Sequence, residues 1–184
     1  MLEGTDVFHK NFNGIDLLVR HVRRDDVEQL RSLINTISLE QTFITFQGEQ
    51  MSIEEESRYV EGFIAKAENQ KAVKLLAFHD GELIGIADVI AKERAESHVG
   101  ILGLMVAKEW RNKGIGSLLL KMALEEAQKN ITELKIITLG VFGNNPIAKR
   151  LYEKMGFKEY GLLSQGIRHK GKLVDHIYMY KSVL

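Results

Sequence analysis

Apolar positions recur along the chain at two spacings, about 3.6 residues and two residues, and the order in which they alternate predicts an architecture. Ile15–Val22 alternates loosely and is β-rich. Asp25 and Asp26 then precede Val27, Leu30, Leu33, Ile34 and Ile37, a helical spacing with acids in its first turn. Between Ser38 and Ser52 the periodicity fades. A second amphipathic run carries its stripe through Tyr59, Val60, Phe63, Ile64 and Ala67, with Ser52 placed as N-cap and Glu55 as its capping-box partner. Ala72–Phe78 and Leu83–Ala91 flank His79-Asp80-Gly81-Glu82 and predict a hairpin, because Asp-Gly supplies the positive φ of a tight turn.

The second half continues with a third strand over His98–Val106 and a helix over Gly114–Lys129. Leu134–Phe142, "LKIITLGVF", is nearly continuous in apolar residues and predicts a strand covered on both faces. A helix over Pro146–Met155 is ended by Gly156. Phe157–Ser164 and Leu173–Val183 predict two closing strands around Lys170-Gly171-Lys172. The expected order is β-α-α-β-β-β-α-β-α-β-β, an α/β domain of about seven strands. Strands on both sides of a strand–helix–strand crossover imply a mixed, mostly antiparallel sheet with a parallel pair at its centre.

Composition narrows the function. A chain of 184 residues that is 45% apolar suits one core, so residues 1–184 are expected to form a single domain. Its 25 basic and 25 acidic side chains cancel, and no global field draws it to nucleic acid or a membrane surface. The clusters Arg20-His21-Val22-Arg23-Arg24 and Arg168-His169-Lys170 therefore read as solvated surface. The chain has no cysteine, which removes disulfides, thiolate zinc sites and a cysteine acyl-enzyme. Its histidines show no metal-ligand spacing, so no metal is expected. The N-terminus lacks a signal-peptide pattern and no stretch reaches the roughly 18 apolar residues of a membrane span, so a cytoplasmic location is expected. Ser164 lacks the glycine two residues earlier that a nucleophile elbow needs.

The chemistry concentrates in "EWRNKGIGSLLLKMALEEA", residues 109–127. Gly114 and Gly116 expose backbone at the mouth of a helix, Arg111 and Lys113 add charge, and Ser117 adds a hydroxyl. Unpaired amides there bind phosphate readily. A Walker A loop is excluded because Lys113 precedes Gly114, and a dinucleotide fingerprint because position 119 is Leu. A diphosphate site and a plain helix start with two solvated cations both remain open on local pattern.

Leu104-Met105-Val106, Arg111-x-x-Gly114-x-Gly116, and Val141…Asn145-x-x-Ala148-x-x-Leu151-Tyr152-Glu153-Lys154-x-Gly156-Phe157 together resemble the GCN5-related N-acetyltransferase (GNAT) family over roughly residues 98–160. The resemblance implies acetyl-coenzyme A as co-substrate, in a notch where the central parallel strands splay. It assigns 98–160 to the acetyl-coenzyme A core, 1–97 to the acceptor side and 161–184 to a closing hairpin. Main-chain groups of Leu104, Met105 and Val106 would hold the pantetheine arm and the acetyl carbonyl. The amides from Arg111 through Asn112, Lys113, Gly114, Ile115 and Gly116 to Ser117 would hold the diphosphate.

The same resemblance gives Asn145 and Ala148 to the pantetheine arm and makes the Tyr152 phenol the acid that protonates the departing thiolate. The amide of Val106 would meet the tetrahedral charge. The implied reaction is direct attack by an amine of a small molecule or a protein N-terminus. Many relatives carry a glutamate on the central strand, and 98–103 has none. Glu96 and His98 are the candidates for the base, Asp88 a third, and a water chain the alternative. The acids Glu54-Glu55-Glu56 suit a helix dipole and would also suit a polycationic acceptor. A homodimer is expected through an edge formed by the final strand, with Tyr178, Tyr180, Val183 and Leu184. A coenzyme-A-binding module without acceptor chemistry and a nucleotide-dependent kinase are the competing readings.

Overall fold

The computed structural model describes residues 2–183. The strands are β1 (Asp6–Phe12), β2 (Ile15–His21), β3 (Ala72–His79), β4 (Glu82–Ala91), β5 (Val99–Val106), β6 (Ile136–Phe142), β7 (Lys158–His169) and β8 (Lys172–Ser182). The helices are α1 (Val27–Leu39), α2 (Ile53–Glu68), α3 (Ile115–Asn130) and α4 (Pro146–Lys154). All eight strands join one sheet in the order β1-β2-β3-β4-β5-β6-β8-β7. One face packs on α3, with Val73, Leu75, Ala87, Val89, Leu119, Ala123, Leu139 and Val141 in that core. The other carries α1 and α2, through Leu30, Leu33, Ile37, Val60, Phe63, Leu76 and Ile86.

Local sequence accounts for most boundaries. Ser52 Oγ accepts from the Glu55 amide while the Glu55 carboxylate accepts from the Ser52 amide, so α2 opens with both halves of its capping box. Asp80 and Gly81 sit at φ 48° and 81°, which closes the β3–β4 hairpin. Asn145 caps α4 by accepting from Ala148 N at 3.2 Å, and Pro146 follows at the first helical position.

Three expectations are corrected. The sheet has eight strands, because β1 pairs with β2 through an Asn13-Gly14 turn with φ 54° and 85°. β6 is fully covered on one face, by burial of Ile137, Leu139 and Val141, and only in part on the other, where Phe142 is buried, Ile136 and Thr138 are half-buried and Gly140 is exposed. β8 lies between β6 and β7, so it has no free edge through which a second copy could extend the sheet; Leu184 lies outside the described residues. Among the described residues no helix is long and apolar enough to cross a membrane.

Candidate active site

The parallel pair carries the opening in the sheet. β5 and β6 pair only from Val99↔Ile136 to Ile101↔Thr138, and beyond that point β5 continues to Val106 and β6 to Phe142 without each other. β4 and β8 stay paired to their outer sides, so the two strands diverge as halves of a divided sheet. Main-chain direction alternates along a strand. Gly100 O accepts from Thr138 Oγ1 at 3.1 Å, Val106 O accepts from Arg111 Nε at 2.9 Å, and the Ala107 amide turns back to Ile84 O. The amides of Leu104 and Val106 therefore face the notch. On β6, Ile136 N donates to His98 O, so the main chain of Gly140 faces it as well.

The mouth of α3 stands at one end of this notch. Gly114, at φ 86°, makes no side-chain cap, and the first amides of the helix have no acceptor within it. Gly116 lines the approach without a side chain, next to Val106, whose Cγ2 would lie 3.6 Å from a Cβ at that position. The expected cations are partly engaged. Arg111 Nη1 pairs with Glu40 at 2.7 Å, and Lys113 Nζ lies 4.5 Å from the centre of the Trp110 ring.

One cleft of about 340 Å³ joins these parts. Of the expected residues it is lined by Leu104, Met105, Val106, Arg111, Asn112, Gly116, Asn145, Ala148 and Tyr152. Lys113, Gly114, Ile115 and Ser117 do not line it, and the Ile115 side chain is buried in the core. Tyr152 is 9% exposed, and burial pushes its phenol up to about 12, so it keeps its proton throughout the neutral range. Its ring meets Phe157 edge to face at 5.9 Å, and its hydroxyl has no protein hydrogen-bond partner among the described residues.

The expected bases are elsewhere. Glu96 pairs with Lys92 at 2.7 Å in the exposed turn before β5. His98 stands at the foot of that strand, about 25 Å from Val106 at the rise of an extended chain. The notch opens at the other end. Asp88 lies behind β5, where its Oδ1 comes within 2.8 Å of the place a Gly103 Cβ would take. Its Oδ2 is bound to the buried Lys74 at 3.1 Å, and Lys74 also donates to Tyr59 Oη at 3.1 Å. Glu56, buried above Lys74, keeps one oxygen without a partner, and its carboxyl is pushed up by burial.

Residues without a sequence signal complete the wall. The α1–α2 connection places Thr42, Phe43 and Ile44 on the cleft, beside Ile37 and Leu151. This loop is fixed by side-chain hydrogen bonds: Gln47 Nε2 donates to Thr42 O and Ile44 O, and Ser38 Oγ donates to Glu49 O. Phe43 packs edge-on to Phe142 at 5.8 Å, and His169 on the β7–β8 hairpin contacts the Gln41 carbonyl at 3.1 Å. The only trace in the sequence is a group of large apolar residues, Phe43, Ile44 and Phe46, in an otherwise polar stretch.

A sheet divided at its one parallel pair, with a helix mouth at the division, defines the class: an α/β acyltransferase fold. Residues 36–157 match the acetyltransferase (GNAT) family, and the chain belongs to it. It is 32% identical over 107 residues to the L-amino acid N-acetyltransferase AaaT of Escherichia coli (strain K12), across 58% of this chain and 65% of that relative. The chain thus spans just under two-thirds of that relative's length. A GNAT-family acetyltransferase from Streptococcus pneumoniae superposes with a TM-score of 0.83 at 31% identity, over 91% of this chain and 99% of that one. The fold is shared with ribosomal-protein-alanine N-acetyltransferase from Brucella melitensis, at a TM-score of 0.79 and 24% identity over 90% and 99% of the two chains.

Proposed function

We propose that this protein transfers acetyl from acetyl-coenzyme A to a primary amine of a small molecule or a protein N-terminus, by direct attack and without a covalent enzyme intermediate. The observation that carries the reading is the single cleft joining the free mouth of α3, the unpaired edge of β5 and the buried phenol of Tyr152. Amides of the Arg111–Ser117 turn hold the diphosphate. Leu104 and Val106 offer main-chain groups to the pantetheine arm, as does the Asn145 amide group, and the Val106 amide stabilises the oxyanion. Tyr152 gives its proton to the leaving sulfur.

The acceptor enters from the α1–α2 side, past Phe43 and Ile44, so that residues 1–97 act as the acceptor-side half and 161–184 as the hairpin that closes the cleft. The name of the E. coli relative, an L-amino acid N-acetyltransferase, supports a small amine with a free amino terminus. Absence of cysteine supports direct attack. Incubation of the protein with acetyl-coenzyme A and a panel of amino acids, polyamines and short peptides, with released thiol as readout, tests the reading. Thiol release that depends on one of these amines is expected; tight coenzyme A binding with no turnover on any amine would refute it in favour of a binding module.

A further inference from the structure

The cleft offers Tyr152 as an acid and the Val106 amide as an oxyanion donor but no base, and Glu96, His98 and Asp88 are each remote or already paired. An amine that is mostly protonated at pH 7 cannot attack until it loses a proton. A group suited to that task sits on β8. His176 pairs in register with Phe142, at the end of β6 that borders the notch. Its ring lies over Gly140: a Cβ at that position would meet Nε2 at 2.2 Å, Cε1 at 2.9 Å and Cδ2 at 3.3 Å, so a side chain at 140 would displace the ring from this place.

Gly140 and Phe142 share the face of β6 on which Phe43 packs, opposite the buried face of Leu139 and Val141. The imidazole therefore lies over β6 on the face of the sheet that carries Phe43, one strand away from the unpaired edge of β5 and beside the residues that line the cleft. The main chain of Gly140 beneath it borders the opening, and the next strand beyond is β5, whose unpaired edge carries Val106.

Resting on the acetyltransferase reading, we propose that His176 is the catalytic base of this enzyme, its Nε2 taking the proton of the acceptor ammonium at the notch. The surroundings keep the ring neutral. Burial holds its pKa below the ordinary histidine value, and no charged side chain pairs with it among the described residues. The groups around it are Gly140 and Phe142 on β6, Leu163 opposite it on β7, and the Tyr178 ring at 4.4 Å on β8. Across the notch β5 presents Ile101, Gly103 and Met105, with Asp88 behind Gly103 neutralised by Lys74. No hydrogen bond among the described residues occupies either ring nitrogen, unlike His169 and His21, which are tied to Asn144 and Glu126.

The proton balance closes. His176 takes one proton from R–NH3+, and the freed lone pair forms the C–N bond at the thioester carbon. The C–S bond breaks, Tyr152 protonates the sulfur, and the second proton of the attacking nitrogen returns to the phenolate. The imidazolium then releases its proton to solvent, leaving the amide and the free thiol.

The test compares wild type, His176→Ala and His176→Asn with the amine that the panel identifies. Loss of the base should lower kcat by about 10²- to 10⁴-fold with the coenzyme A Kd unchanged. The rising limb of the wild-type pH profile of kcat, set by a pKa below the usual histidine value, should vanish from both variants. Added imidazole should restore turnover to the alanine variant, which a merely structural role would not allow. Wild-type kcat and pH limb in His176→Asn would overturn the assignment of the base while leaving the acetyltransferase intact. A variant with weakened coenzyme A binding and no imidazole rescue would overturn it too. A wild type that binds coenzyme A and acetylates no amine would refute both readings.

Discussion

Gly114 offers a perturbation in which charge can be separated from strain. Its φ of 86° is tolerated by Asn and Asp better than by other non-glycine residues, and a Cβ there would lie 3.3 Å from Phe12 Cζ. Gly114→Asn and Gly114→Asp share this geometry, so the backbone cost of about 1–2 kcal/mol cancels between them. For a chain of this size it should lower both melting temperatures by about 2–4 °C per kcal/mol. Only the Asp carries charge. A carboxylate about 5–6 Å from a phosphate, at an effective dielectric of about 20, is repelled by roughly 3 kcal/mol. Allowing for screening at this exposed turn, the coenzyme A Kd of the Asp variant should exceed that of the Asn variant by about 30- to 150-fold. Isothermal titration of both variants, checked by circular dichroism for folding, measures the difference. Equal Kd values in two folded variants would refute a diphosphate at the mouth of α3.

Three further outcomes are expected. Tyr152→Phe should bind coenzyme A as wild type does and lose about 10²-fold or more in kcat, read by thiol release; with the phenol at about 12, wild-type kcat should show no fall from its ionisation below about pH 11. Glu56→Gln should melt like wild type at pH 4 and higher than wild type at pH 7. Burial raises the folded carboxyl above its unfolded value, so the wild type loses stability as pH rises from the unfolded pKa to the folded one, and the amide does not. Glu40→Gln releases Arg111 from a half-buried pair worth about 0.5–1 kcal/mol, so coenzyme A should bind about two- to fivefold more tightly by titration, and an unchanged or weaker Kd would show that Arg111 does not reach the diphosphate.

Elements written by local chemistry were legible in the sequence. The capping box at Ser52 and Glu55, the Asp80-Gly81 turn and the stop at Gly156, with φ 87°, each follow from a few adjacent residues. The fold class followed from their order. β1 escaped because none of its side chains is fully buried: an edge strand held by main-chain pairing leaves little hydrophobic alternation, and Asn13-Gly14 was its one sign. The α1–α2 loop escaped because Gln47, Ser38 and Asn35 fix it through side-chain bonds to backbone, which no periodicity records.

The cofactor-side residues formed a local motif and nine of them line the cleft. The base could not be placed in this way. Which end of β5 opens onto the notch depends on where its parallel pairing with β6 stops, and His176 reaches Gly140 through a register between β6 and β8 that joins distant parts of the chain. Composition carries neither fact.

A crystal structure of the protein with acetyl-coenzyme A would decide whether the mouth of α3 is the cofactor site. Diphosphate oxygens are expected on the amides between positions 111 and 117, and the thioester in the opening between β5 and β6 beside the Tyr152 hydroxyl. A cofactor bound at another surface, or a notch that stays closed to it at saturating concentration, would rule that site out.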